Sequence, residues 1–144
     1  MNKFRTLTII LNLIIMIGRG HGAGPLAIFE ALALNDLASG DFHFNISGSY
    51  DDKIMTVALL SFFGQCVLIA SFFIGNAIKS KVTLFGCSIL VAAMCLLTIR
   101  SFDVFRLGIF SLFSLELFSL FTAGPFIWAC VVLVKGEIKV LRQP

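Results

Sequence analysis

Residues 107–134 read LGIFSLFSLELFSLFTAGPFIWACVVLV and carry a single charge, that of Glu116. As an α-helix, this stretch exceeds the ~30 Å hydrocarbon core of a bilayer, because a helix rises ~1.5 Å per residue. The pattern predicts a membrane-spanning helix around which the other segments pack. An ionised carboxylate at mid-bilayer depth costs at least about 3 kcal/mol on insertion scales. We therefore expect Glu116 to be neutral, paired or facing a polar interior.

The composition of the whole chain agrees with a membrane protein. Of the 144 residues, 58% are hydrophobic and only 13% are charged, and the mean hydropathy is +1.00. Soluble domains carry nearly twice that share of charged residues, about a quarter. We therefore predict an integral membrane protein that forms one transmembrane domain over residues 1–144. The net charge of +3 does not indicate a nucleic-acid partner, because the basic residues lie at the ends of apolar segments.

Three further apolar segments complete an all-α, four-span antiparallel transmembrane helix bundle. Their expected bounds are about 4–22, 54–78 and 82–99, beside 107–134. The short link Lys79-Ser80-Lys81 predicts a tight turn between the second and third spans. Residues 35–53 contain four aspartates and one lysine, which predicts an exposed acidic loop.

The basic residues also predict the orientation. Four spans place both termini on one side of the membrane, and that side would carry seven basic residues against four on the other. By the positive-inside rule, we expect both termini to be cytoplasmic. The seven are Lys3, Arg5, Lys79, Lys81, Lys135, Lys139 and Arg142.

The first span is too short unless it runs into a glycine-rich stretch. Its apolar run, Leu7–Ile17, reaches only about 16 Å as a helix. Either one helix continues through the glycines, which then form small-xxx-small packing faces, or the helix breaks after Gly24 and a short extra helix starts at Pro25. We favour the break. The extra helix would cover Leu26–Leu37 and carry Glu30.

Three polar residues come out near the same mid-membrane depth when residues are counted from the expected span ends: Asn12, Gln65 and Glu116. Our hypothesis is that Glu116 turns inward and shares hydrogen bonds with Asn12 and Gln65, with Arg19 reaching down from the outer boundary. The alternatives are that these residues only hold the helices together, or that Glu116 faces lipid.

The glycine-rich stretch is a second candidate site. A glycine turn with free backbone N–H groups, a helix start and two basic side chains suit an anion such as a lipid phosphate or a carboxylate. Close helix packing and a plain hinge are the alternatives. The residues of this possible anion-binding turn are Gly18, Arg19, Gly20, His21, Gly22 and Gly24.

The sequence offers little for catalysis, metals or cofactors. The four cysteines lie in apolar segments without a C-x-x-C pair, and His21 and His43 are too far from the span centres to ligate a haem. No nucleophile with a base, and no intramembrane pair of carboxylates, is visible. We therefore expect no metal, no cofactor and no enzyme activity.

Our functional expectation is a non-catalytic accessory or interaction subunit of a larger membrane assembly. The alternative is a homo-oligomeric transporter or channel for protons or a small solute that uses Glu116. A lipid-modifying enzyme is a third class, and only Arg19, His21 and the glycines favour it. The expected partners are the lipid bilayer and either a membrane protein or further copies of this chain.

Overall fold

The computed structural model describes residues 2–19, 22–46, 50–98 and 115–141. Two helices in these ranges contain stretches that are long and apolar enough to cross a bilayer, Asp52–Phe73 and Ile78–Leu97. The fold is helical. The described elements are α1 (Asn2–Leu13), β1 (Met16–Arg19), β2 (Gly22–Pro25), α2 (Leu26–Ser39), α3 (Tyr50–Phe73), α4 (Asn76–Thr98) and α5 (Leu115–Leu141).

Helices α3 and α4 form a closely packed hairpin. A Cβ atom added to Gly64 would come within 2.6 Å of Leu90 Cδ2, and one added to Gly86 within 3.0 Å of Leu68 Cδ2. The two glycines therefore let the helices approach more closely than larger residues would allow.

The turn between α3 and α4 is not at Lys79-Ser80-Lys81, so that prediction was wrong. The chain turns at residues 74–75, and the carbonyl of Gly75 accepts the backbone N–H groups of Ile78 and Lys79, both at 3.2 Å. Those bonds start the helix before the lysines. A lysine tolerates this position because its apolar stem can lie along the helix while its amine reaches water.

The first predicted span, 4–22, is not one helix, and the continuous-helix reading was wrong. Helix α1 ends at Leu13, and β1 and β2 form an antiparallel hairpin in which Met16 pairs with Pro25 and Arg19 with Gly22. Glycine disfavours a helix, and the β-branched residues that lead into the stretch favour a strand. The predicted break before Pro25 is present, and α2 starts at Leu26. The hairpin was not foreseen.

Helix α2 continues the path of α1 on the far side of the hairpin. The N–H of Leu26 donates to the carbonyl of Ile15 at 2.7 Å, so the start of α2 sits on the end of α1. We call α1, the hairpin and α2 together the interrupted helix. Its β1 strand docks against α5, where the N–H of Met16 donates to Thr122 Oγ1 at 3.1 Å.

Side-chain contacts fix the direction of the interrupted helix. Asn12, near the end of α1, and Glu30, near the start of α2, both reach the middle of α3. The segment after α2 then reaches the beginning of α3, where the N–H of Asn45 donates to Thr56 Oγ1 at 2.9 Å. Both parts of the interrupted helix therefore run antiparallel to α3, one after the other.

The acidic loop is shorter than the predicted 35–53. Helix α2 extends to Ser39 and ends at Gly40, whose φ of 82° is the left-handed conformation that glycine favours. Helix α3 already begins at Tyr50, so Asp51 and Asp52 occupy its first turn. Carboxylates are favourable there because the N-terminal end of a helix carries partial positive charge.

Helix α5 extends past the predicted span end at Val134 and reaches Leu141. Lys135 and Lys139 are exposed, while Glu137 between them is buried against Arg5. The helix can continue because the buried charge of Glu137 is paired. The first part of the predicted span, residues 107–114, lies outside the described residues.

Candidate functional site

The interruption brings four polar side chains together inside the protein. Asn12 comes from the last turn of α1 and Glu30 from the second turn of α2, while Ser61 and Gln65 lie one turn apart on the same face of α3. Their exposed fractions are 1%, 4%, 1% and 5%, respectively. We call Asn12, Glu30, Ser61 and Gln65 the interruption cluster.

The cluster is a connected set of hydrogen bonds that ends on the Glu30 carboxylate. Gln65 Nε2 donates to Glu30 Oε1 at 2.8 Å, and the Ser61 hydroxyl also donates to this carboxylate. The Asn12 amide nitrogen in turn donates to Ser61 Oγ. Asn12 Oδ1 is buried, and no group among the described residues donates a hydrogen bond to it. The cluster thus contains one acid, two amides, one hydroxyl and one unused acceptor.

Neutral groups, rather than a cation, support Glu30 within the described parts of the chain. Lys53 lies eight residues before Ser61 on α3, about 12 Å along the helix. The guanidinium of Arg5 is bonded to Glu137. Hydrogen bonds from neutral donors only partly offset the cost of burying an ionised carboxylate. Glu30 is therefore the group in the cluster whose state can change.

The structure brings two of the three predicted interior residues into one cluster. Asn12 and Gln65 are joined through Ser61 and Glu30. Glu116 lies in the first turn of α5, but its side chain lies outside the described part of the chain. Its predicted contact with Asn12 and Gln65 stays a prediction.

Sequence reasoning did not find Glu30 and Ser61 as members of the site. Depth was counted along an uninterrupted first span, and that count separates Glu30 from Asn12. The tandem stacking of α2 on α1 removes this separation. Two signals were present in the sequence: Glu30 follows the helix-starting Pro25, and Ser61 precedes Gln65 by one helical turn.

The predicted anion-binding turn lies in the hairpin. Gly18 and Arg19 belong to β1, and Gly22 and Gly24 to β2, so their backbones run in paired strands. The side chain of Arg19, and all of Gly20 and His21, lie outside the described residues. Anion binding at this turn stays a prediction.

A second buried cluster joins the N-terminal and C-terminal helices. The Arg5 guanidinium is paired with Glu137 Oε1, while Ser80 Oγ donates to Glu137 Oε2 at 2.7 Å. Arg5 Nη1 also donates to Asn2 Oδ1 at 3.0 Å. This cluster contains a complete ion pair, which distinguishes it from the interruption cluster.

Among the residues that the structure describes, no three His, Cys, Asp or Glu side chains converge to hold a metal ion. The ionisable chemistry of the interruption cluster is that of one carboxyl group. The chain matches no known protein family, no curated protein and no solved structure.

Proposed function

We propose that the protein is a homo-oligomeric membrane transporter or channel for protons or a small solute, and that Glu30 is its working acid. The observation that carries the proposal is the interrupted helix with a buried carboxyl group at its break. In many transporters, ion and substrate sites lie near the bilayer midplane where a transmembrane helix is discontinuous. An ionisable side chain is costly to keep inside a membrane, which favours a functional role for it when it has no cationic partner.

The proposed arrangement has four crossings of the membrane. The 12 residues of α1 and the 14 residues of α2 together reach about 39 Å as helix, which exceeds the ~30 Å core, although each is too short alone. Helices α3, α4 and α5 supply the other three crossings. Four crossings are few for a complete pathway, so we expect copies of the chain to associate.

The test is flux in vesicles that contain the purified protein. We expect a pH gradient to drive measurable proton or solute movement, and Glu30→Gln to reduce it to the level of empty vesicles. Asp36→Asn is the matched control, because it removes one carboxylate from the same helix outside the interruption cluster, and it should retain flux. Full flux in Glu30→Gln, or none in the unaltered protein, would contradict the proposal.

Purification in mild detergent with mass analysis belongs to the same test. A homo-oligomer is the expected result for a transporter. The accessory role in a larger assembly stays a prediction from the sequence, and a stoichiometric foreign membrane protein in the same preparation would favour that role instead.

A further inference from the structure

The side chains of the interruption cluster are hydrogen-bonded directly to one another, and this arrangement favours one kind of ligand. Gln65 Nε2 lies 2.8 Å from Glu30 Oε1, and Asn12 and Ser61 are in direct hydrogen-bond contact. A bound metal ion would have to lie between these groups and be surrounded by several oxygen atoms. Here the amide nitrogens of Gln65 and Asn12 donate to Glu30 and Ser61, so a metal ion would need a gap between these groups and would require both amides to turn their oxygen atoms towards it. A proton needs no such gap.

The charge of the interruption cluster also favours a proton as its ligand. The elements packed against α2 are α1, β2 and α3, and their described charged or titratable side chains do not face Glu30. On α1, Lys3 and Arg5 lie at least seven residues before Asn12. On α3, Asp52 and Lys53 lie at least eight residues before Ser61, and Cys66 is exposed. On α2 itself, Asp36 lies six residues beyond Glu30. One added proton would neutralise the cluster.

The hydrogen bonds can adapt to that proton without movement of the backbone. With Glu30 ionised, Asn12 donates to Ser61, and Ser61 donates to the carboxylate. With Glu30 protonated, the carboxylic acid can donate to Ser61 Oγ. The Ser61 hydroxyl can then turn towards Asn12, whose amide rotates to offer Oδ1. In the structure, no group among the described residues donates to this atom. In both states Ser61 is hydrogen-bonded to Glu30 and to Asn12, but the direction of these two hydrogen bonds is reversed.

We infer that the interruption cluster is a proton-binding site in which Glu30 takes up the proton and Ser61 and Asn12 reverse their hydrogen bonds in response. The only bond formed is between the proton and a Glu30 oxygen, and release reverses this step. The inference deepens the proposed function and rests on it, because it names the proton as the ion that the interior site handles.

Infrared difference spectroscopy of the full chain in lipid nanodiscs tests the inference directly. We expect a carboxylic-acid carbonyl band that grows as the pH is lowered and is lost as the pH is raised. The band should disappear in Glu30→Gln and change frequency in Glu30→Asp, which keeps an acid at this position. Asp36→Asn should leave it unchanged.

A positioning variant separates a proton site from a structural one. Ser61→Ala removes a donor that favours the ionised carboxylate, so the band should titrate at higher pH, by about one pH unit. A structural role for Ser61 alone would change stability and leave the midpoint in place. That outcome would contradict the proposed reversal of the hydrogen bonds of Ser61 and Asn12.

The results also separate this inference from the proposed function. A Glu30 band that responds to Na⁺ at constant pH, and not to pH, overturns the proton site while leaving cation transport possible. A band that titrates in a protein without flux leaves the proton site intact and removes the transport proposal. A band that is insensitive to both pH and Na⁺ overturns the inference.

Discussion

Arg5 and Glu137 form an ion pair that is buried on both sides, with exposed fractions of 2% and 1%. The benefit of such a pair over an apolar pair is small, because both charges lose their hydration. Its effect is one of mutual dependence: each residue is tolerated only while the other is present.

Removing one partner should therefore cost more than removing both. We expect Arg5→Met to lower the free energy of unfolding by about 3–5 kcal/mol, since Glu137 is left buried without its cation. The double variant Arg5→Met/Glu137→Met should recover most of that loss. Thermal unfolding in detergent, followed by circular dichroism, measures both variants. Lys3→Met, an exposed cation on the same helix, is the control, and equal losses in the single and double variants would contradict the expectation.

At the residue level, the sequence predicted the polar positions better than their partners. Asn12 and Gln65 were predicted to lie near the same depth, and both are hydrogen-bonded in the interior, as a buried amide requires. Which acid joins these amides depends on how α2 is placed after α1, because this placement brings Glu30 next to Gln65. Glu30 could not be placed by a count of residues along a straight helix.

At the scale of the elements, the α3–α4 pair shows why small residues belong at a helix contact. Gly64 and Gly86 face each other closely enough that a Cβ on Gly86 would come within 3.2 Å of the Gly64 carbonyl oxygen. Lipid tails are as apolar as a protein interior, so the hydrophobic effect does not drive helices together in a membrane. Close packing is therefore a main source of helix association there.

Substitution of Gly64 should weaken the contact between α3 and α4. Gly64→Ala places its Cβ 2.6 Å from Leu90 Cδ2, so the Leu90 side chain has to leave its position or the two helices have to move apart, at an expected cost of about 1–3 kcal/mol. Gly75→Ala is the control, because a Cβ there meets no described atom within 4 Å. Thermal unfolding of the two variants side by side makes the comparison. A control that loses as much stability as Gly64→Ala would show that the α3–α4 contact is not the cause.

The sequence predicted the break in the first segment but not the form it takes. Pro25 marked the start of α2 because proline suits the first turn of a helix. The hairpin escaped prediction because its stability depends on contacts made later in the chain, such as the bond between Met16 and Thr122 of α5. Two four-residue strands are marginal on their own.

For the whole molecule, the two ends of the bundle differ in charge. Arg5, Ser80 and Glu137 meet at one end, and described lysines cluster near the same ends of α1, α4 and α5. The opposite end contains the contact between Asn45 and Thr56, with Lys53 nearby. The N-terminal end of α1 and the C-terminal end of α5 therefore lie on the same side. From the positive-inside rule, we predict that the lysine-rich end faces the cytoplasm.

Labelling of single introduced cysteines tests this orientation. Lys3, Asp41 and Lys139 are exposed, and each can be replaced by cysteine, with the unaltered protein giving the background from its four native cysteines. A membrane-impermeant maleimide should label Asp41→Cys in intact cells, because residue 41 follows α2 at the far end of the bundle. It should label Lys3→Cys and Lys139→Cys only after the membrane is opened. Labelling of Lys3→Cys and Lys139→Cys from opposite sides would be incompatible with a buried Arg5–Glu137 pair, whereas labelling of both from outside would keep the fold and reverse its orientation.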